Sequence, residues 1–251
     1  MKLFLFPHQD DESPVFHEID QLTKNAEPLT IIFLTTGQAS TEVCERRNRE
    51  SLAVLDRLGV KKSQIHFLGS KVGAPDGQLH RHLEKLHLAI TALMKDELID
   101  GIYVPAWEGG HQDHDAAHML GVALASQWKC LESSRQFPYY HGQGLKSIFF
   151  KTLSPLPGNG QPKTAYIAPR KRLQYLSMLL LYKSQVKALV GLGPFIVLHY
   201  LFYGTQVLQG LSVARMGEKP HQGPMLYERR AFCSFDVFQQ ETAEFRLKRL
   251  F

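Results

Sequence analysis

Four times between residues 2 and 128 a short apolar run passes through a polar loop into a segment whose apolar residues keep helical spacing. The runs cover residues 2–6, 29–35, 65–68 and 102–105, and the helical segments residues 13–24, 41–58, 79–97 and 113–128. The runs are strand-length and largely Ile, Leu, Val, Phe and Thr, whereas Leu83, Leu86, Ile90, Leu93 and Met94 recur on one helical face. Such alternation restricts the chain to an α/β architecture, because neighbouring parallel strands need a crossover and the crossover here is helical. Right-handed crossovers place the loops that leave the strands on one edge. The expected fold is Rossmann-like and three-layered, with a mainly parallel sheet and its site at the carboxyl ends of the strands.

Two of those loops carry the densest polar chemistry. Directly after the first run comes Pro7-His8-Gln9-Asp10-Asp11-Glu12, and directly after the fourth comes Gly109-Gly110-His111-Gln112-Asp113-His114. About a hundred residues apart in sequence, they are expected to meet in space because both leave the same sheet edge. Divalent zinc accepts imidazole nitrogen and carboxylate oxygen, and a catalytic site uses three protein ligands with a further position open. His8, Asp11 and His114 supply two imidazoles and one carboxylate. Asp10 is then available as a general base, and His111 as a donor to a developing oxyanion, with Asp113 to hold its ring. Taken alone, a His-x-Asp-Asp after a strand is as readily a solvated helix start with acids at the positive end of the dipole. Two such clusters after two strands favour the site. His118, one turn beyond His114, reads as a helix-face residue rather than a fourth ligand.

The second half is less regular. Strands are expected over residues 146–150, 165–168 and 229–238, a helix over 170–192, and a polar tail or short helix over 241–251. Residues 189–208 are the most apolar stretch, but Gly191, Gly193, Pro194, His199, Gly204 and Gln206 interrupt them, so a buried helix or hydrophobic lip is expected rather than a membrane span. With Lys183, Lys187 and Arg215 flanking it, the stretch leaves peripheral contact with a membrane surface as a reading. One domain is expected over residues 1–251, its motif-bearing core at 1–130 and the remainder completing the fold and pocket. The net charge of +5 is spread out, without a nucleic-acid-binding signature. Three scattered cysteines give no disulfide framework or thiolate metal site. The first apolar run is too short for a signal-peptide core, so a cytoplasmic location is expected.

At these residues the chain resembles the PIG-L/LmbE-like zinc-dependent de-N-acetylases. That family's first motif, (A/P)-H-x-D-D-E, is matched by residues 7–12 and its second, H-x-D-H, by His111-Gln112-Asp113-His114. Leu34-Thr35-Thr36-Gly37, Arg47-x-x-Glu50, Phe67-Leu68-Gly69 and Pro75-Asp76-Gly77 add support, and Tyr182-Lys183-Ser184-Gln185 is a weaker echo. The resemblance implies His8, Asp11 and His114 as ligands of zinc or another divalent metal such as iron(II), and Asp10 as general base. It implies His111, oriented by Asp113, as the group that stabilises the oxyanion or protonates the leaving amine, and Arg47 and Asp76 as sugar contacts. An Arg and an Asp at helix and turn boundaries are equally at home as salt-bridging or capping residues. Gln9 stands where the family commonly has proline, and Gly109 where some members have a tyrosine. The activity implied is removal of an N-acetyl group from an N-acetylglucosamine-type sugar, free, in a glycoconjugate, or linked to nucleotide or lipid. A non-catalytic sugar- or metal-binding protein, or a hydrolase of another amide, stays open, as does oligomeric state.

Overall fold

β1 (Lys2–Phe6) is buried on both faces from Leu3 to Phe6, and an unbroken apolar run has no other stable place in an α/β sheet. It lies between β2 (Leu29–Phe33) and β4 (Gly101–Pro105), parallel to both. β3 (Ile65–Phe67) pairs parallel outside β2, and β5 (Arg135–Phe137) parallel outside β4. β9 (Thr205–Gly210) runs antiparallel to β5, and β8 (Lys163–Tyr166) antiparallel to β9. The sheet order is therefore 3-2-1-4-5-9-8, a parallel body with an antiparallel edge contributed by the second half of the chain. β6 (Tyr140–His141) and β7 (Lys151–Thr152) form a separate small ribbon. The computed structural model describes residues 1–37 and 40–251, with the backbone alone at 187–189; Gln38 and Ala39, in the turn expected over 36–40, lie outside the described residues.

Period-two alternation sends Leu3 and Leu5 to one face of the sheet and Phe4 and Phe6 to the other. The first face is covered by α4 (Leu83–Leu93), α5 (Gln112–Gln127), α9 (Phe235–Glu241) and α10 (Ala243–Arg249). The second is covered by α1 (Phe16–Lys24), α2 (Thr41–Arg57), α6 (Pro169–Leu179) and α7 (Val186–Phe202). These are the three layers. Two short helices, α3 (Leu68–Val72) and α8 (Leu226–Arg229), connect them. α2 starts at Ser40, whose hydroxyl accepts the Val43 N–H at 3.3 Å. Its buried stripe is Arg47, Ser51, Val54 and Leu55, so a cation takes the first buried position along the helix.

α5 is buried from Gln112 to Ala125, because the sheet lies on one side and helices of the first face on the other. The loop that delivers it is held by two buried acids. Glu108 Oε1 accepts the backbone N–H groups of Tyr139 and Tyr140, both at 2.8 Å. Asp115 Oδ1 accepts those of Glu108 at 3.2 Å and Gly109 at 3.1 Å. Burial pushes the Glu108 carboxyl up to about 8 and that of Asp115 up to about 7.

The second half departs from the expected elements in four places. Residues 146–150 hold no strand, and the pairing falls one step later at Lys151–Thr152. The strand expected over 165–168 is shifted to Lys163–Tyr166. The helix expected over 170–192 is two helices, separated by a turn that Glu50 pins through the Ser184 N–H at 2.9 Å and hydroxyl at 2.6 Å; α7 then continues through Gly191, Gly193 and Pro194 to Phe202. Residues 229–238 are not a strand. Ser234 caps α9, Glu228 accepts the N–H groups of Met225 and Phe235, and Phe235 and Phe238 pack at helical spacing against Trp107.

Two consequences can be measured. A Cβ at Gly69 would sit 2.4 Å from backbone atoms of Leu34 and Thr35, which cannot rotate aside. Gly69→Ala is expected to lower unfolding free energy by roughly 1–3 kcal/mol, read from the urea midpoint at constant slope. Glu108, with its folded pKa above the unfolded one, binds its proton more tightly when folded. Its contribution is therefore present in full below the unfolded value near ~4.3 and lost as pH rises through about 8. Glu108→Gln keeps the accepting oxygen without the charge, so its urea midpoint should fall less than that of the wild type between pH 6 and pH 9. An equally steep fall would contradict the assignment.

Candidate active site

The loop after β1 is wound tightly enough to aim three side chains into one space. Asp10 has φ of 121°, a left-handed conformation that L-residues rarely adopt. Its N–H is held by the buried Glu12 carboxylate at 2.9 Å, and its carbonyl accepts the Ser13 N–H at 3.2 Å. The His8 N–H is held by Asp11 Oδ2 at 2.8 Å. Strain of this kind costs about 1–3 kcal/mol and persists where the surroundings over-determine it.

The loop after β4 comes to meet it. Asp11 lies between two imidazoles, Oδ2 at 3.0 Å from His8 Nδ1 and Oδ1 at 3.2 Å from His114 Nε2. His8 Nε2 is 3.0 Å from Asp113 Oδ2. Among the described residues, two groups bring metal-ligating atoms within 4.8 Å of one another: His8, Asp11 and His114, and His8, His111 and Asp113. The first is the triad expected from the sequence. His118 turns away, its Nδ1 bonded to the Pro105 carbonyl at 2.9 Å in the core.

Asp113 and His111 are arranged differently from the expected pairing. The Asp113 carboxylate accepts the Gly77 N–H at 2.5 Å and the Leu79 N–H at 3.0 Å, in addition to facing His8. Its Oδ2 is 4.0 Å from His111 Nδ1, beyond hydrogen-bonding range. What holds the His111 ring is the backbone N–H of Asp113, which donates to Nδ1 at 3.2 Å. A ring that accepts at Nδ1 carries its proton on Nε2 and is a donor there. Burial lowers the His111 pKa to about 3, so the ring is neutral.

Seven of the eight residues singled out in the sequence line one pocket of about 200 Å³: His8, Asp10, Asp11, Arg47, Asp76, His111 and His114. Asp113 is buried behind it. Arg47 donates to Asp76 Oδ2 at 3.2 Å, to Gln185 Oε1 at 2.7 Å and to the Gly37 carbonyl. Asp76 also accepts the Thr35 hydroxyl at 2.6 Å and the Gly37 N–H at 2.9 Å. The pair is thus both pocket wall and the tie between three loops. Beyond His111 and Asp76 the pocket continues into a cleft of about 700 Å³ that includes Arg81, Gln112 and Phe232.

Four further pocket residues escaped the sequence reading: Tyr139, Tyr140, Gln185 and Leu192. The Tyr139 ring stacks on His114 with centroids 5.7 Å apart, and Tyr140 meets the same ring edge-on at 5.4 Å. They follow β5, so the rule of strand ends would have found them had a three-residue strand been recognisable. Gln185 reaches back to the Gln9 carbonyl at 3.1 Å, and its signal was the Tyr182–Gln185 echo.

The electrostatics fit a cation. Burial, and then the neighbouring Asp11 charge, push the Asp10 carboxyl well above its usual range. Burial also works against charge on Asp11, yet His114 and His8 hold its carboxyl well below the usual range. Burial lowers the His8 pKa, but Asp11 and Asp113 raise it by more, so it lies above its ordinary value. Two imidazoles and a carboxylate that converge in one pocket are a donor set that a divalent metal accepts.

Comparisons with known proteins bear on the fold and on the family. The chain resembles the crystal structure of the zinc-inhibited teicoplanin deacetylase Orf2 with a TM-score of 0.61 at 15% identity, covering 83% of this chain and 98% of that one. For N,N'-diacetylchitobiose deacetylase from Pyrococcus horikoshii the values are 0.58 and 20%, over 83% and 81%. For GalB, the 4-carboxy-2-hydroxymuconate hydratase from Pseudomonas putida KT2440, they are 0.52 and 13%, over 84% and 97%. At such identities these similarities establish the fold. No curated protein sequence matches the chain. Residues 3–125, which carry both motif loops, match the family model described as PIG-L: GlcNAc-PI de-N-acetylase. Through that stretch, the chain belongs to the PIG-L family.

Proposed function

We propose that this protein is a divalent-metal-dependent hydrolase that removes the N-acetyl group from an N-acetylglucosamine-type amino sugar, releasing acetate and a free amine. The observation that carries the reading is the convergence of His8, Asp11 and His114 in one pocket with Asp10 beside them. It is supported by the family and by structural neighbours whose names are those of deacetylases of sugar derivatives. The fold also carries a hydratase, so the site and not the fold supports the reaction class.

His8, Asp11 and His114 would hold the metal, zinc or another divalent ion such as iron(II). When bound, it supplies Lewis-acid polarisation of the amide carbonyl and makes water a nucleophile at neutral pH. Asp10, its basicity raised by burial, takes the proton from the attacking water at a carboxylate oxygen. His111, neutral and protonated at Nε2, donates to the oxygen on which negative charge develops, with Asp113 fixing the ring through its backbone N–H. Carbon–nitrogen cleavage requires a proton on the nitrogen, and the one gained by Asp10 is at hand. Arg47 and Asp76 form the wall that meets the sugar, and the adjoining cleft receives the rest of the substrate. Both halves of the chain line this pocket, so we treat residues 1–251 as one functional unit.

Acetate release from a panel of N-acetylated sugars, free, nucleotide-linked and lipid-linked, tests the reading. Asp10→Asn should lower the rate by roughly 10²–10⁴-fold while leaving bound metal unchanged, and a chelator should abolish it. Release that survives both treatments would overturn the mechanism. Independently, elemental analysis of His114→Ala should show metal content well below that of the wild type; full occupancy would remove His114 from the ligand set.

A further inference from the structure

From residue 133 to residue 217 the chain contains ten Lys and Arg and not one Asp or Glu. This cationic third of the protein also holds its most apolar exposed surface. Along α7 and its end, Val190 is 70% exposed, Leu198 48%, Leu201 62%, Phe202 78% and Tyr203 69%. The loop before β7 adds Ile148 and Phe149 at 57% and 69%. That loop reaches α7 through Phe150, whose ring lies 5.2 Å from that of Phe195 and under the Arg230 guanidinium. Exposed Lys146, Lys151, Arg170 and Lys183 belong to the same loop and to the helix ends around it. Two carboxylates that touch α6 and its turn are already engaged, Asp20 by Lys24 and Lys171 and Glu50 by Ser184.

Large apolar side chains gathered in this way on an exposed helix and the loop beside it mark an interaction site. Its cationic surround decides the occupant. A second copy would bring like charge against like charge, whereas an anionic bilayer offers hydrocarbon to the apolar residues and phosphate to the cations. No helix in the described residues is long and apolar enough to cross a membrane, so the contact would be peripheral. We infer that the outer face of α7, with the loop over residues 146–150, docks this protein onto an anionic lipid surface. The inner face of the same helix contributes Leu192 to the pocket wall, so docking holds the pocket about one helix diameter, ~10 Å, from the headgroups. Docking is independent of the deacetylase reading, since it needs neither metal nor substrate.

Sedimentation of the purified full chain with phosphatidylcholine vesicles, with and without about one-third phosphatidylglycerol, reads this directly. Partition into the anionic vesicles should exceed that into neutral ones by roughly tenfold or more and fall at high salt. Leu198→Glu with Leu201→Glu should lower it by roughly a hundredfold, with acetate release from a soluble substrate unchanged. Arg170→Glu with Lys183→Glu, at exposed positions that do not threaten folding, should remove the preference for anionic lipid. Equal partition into both vesicle types, or wild-type partition by both double variants, would overturn the inference. So would a dimer by light scattering that the leucine variant dissociates, without vesicle binding, because the face would then belong to a second copy.

Discussion

The Asp113 carboxylate has no access to solvent and draws its hydrogen bonds from two other segments at once. His8 comes from the loop after β1, Gly77 and Leu79 from the loop before α4, and the group itself is fixed at the start of α5. A buried carboxylate without partners would be very costly, so the three segments are held in register wherever this group is ionised. Asp76, next to Gly77 in the loop before α4, repeats the device, joining Thr35, Gly37 and Arg47. The site is therefore assembled by charges that demand satisfaction, not by apolar packing alone. Removing such a group affects position and chemistry together.

Beneath these ties lies the sheet. β1 can be central only because both of its faces are apolar, and parallel partners on either side oblige the loops after β1 and β4 to emerge together. The pairing brings His8 and His114 within reach across a hundred residues of sequence. The second half serves the same edge from above: Tyr139 and Tyr140 close over His114, and Gln185 locks Arg47 to the first motif loop. α7 then has two roles by virtue of its two sides, one walling the pocket and the other turned to the surroundings.

How far these features could be read in advance depends on the range of the forces that make them. The four strand–helix units rest on local periodicity, and each is found at the expected place, although the helix expected over 79–97 is confined to Leu83–Leu93 and a short helix, Leu68–Val72, stands where a loop was expected. Residues 229–238 failed because an apolar-rich stretch with Phe232, Phe235 and Phe238 fits either period, and the choice was made by Ser234 and Glu228 capping backbone groups. α7 persisted through two glycines and a proline because packing of Ile196 and Tyr200 against the second face outweighed local propensity.

The residue types and spacing of the two motif loops determined by themselves that His8, Asp10, Asp11, His111 and His114 share a sheet edge, since strand order and crossover hand leave little choice. Only the tertiary structure decided which partner each takes. Asp113 holds His111 by its backbone rather than its carboxylate, Glu108 and Asp115 support the loop from below, and Tyr139, Tyr140 and Leu192 complete the wall. These are contacts between segments far apart in the chain. Their geometry follows from burial and hydrogen-bond satisfaction in the assembled fold, and neither quantity exists until the layers have packed.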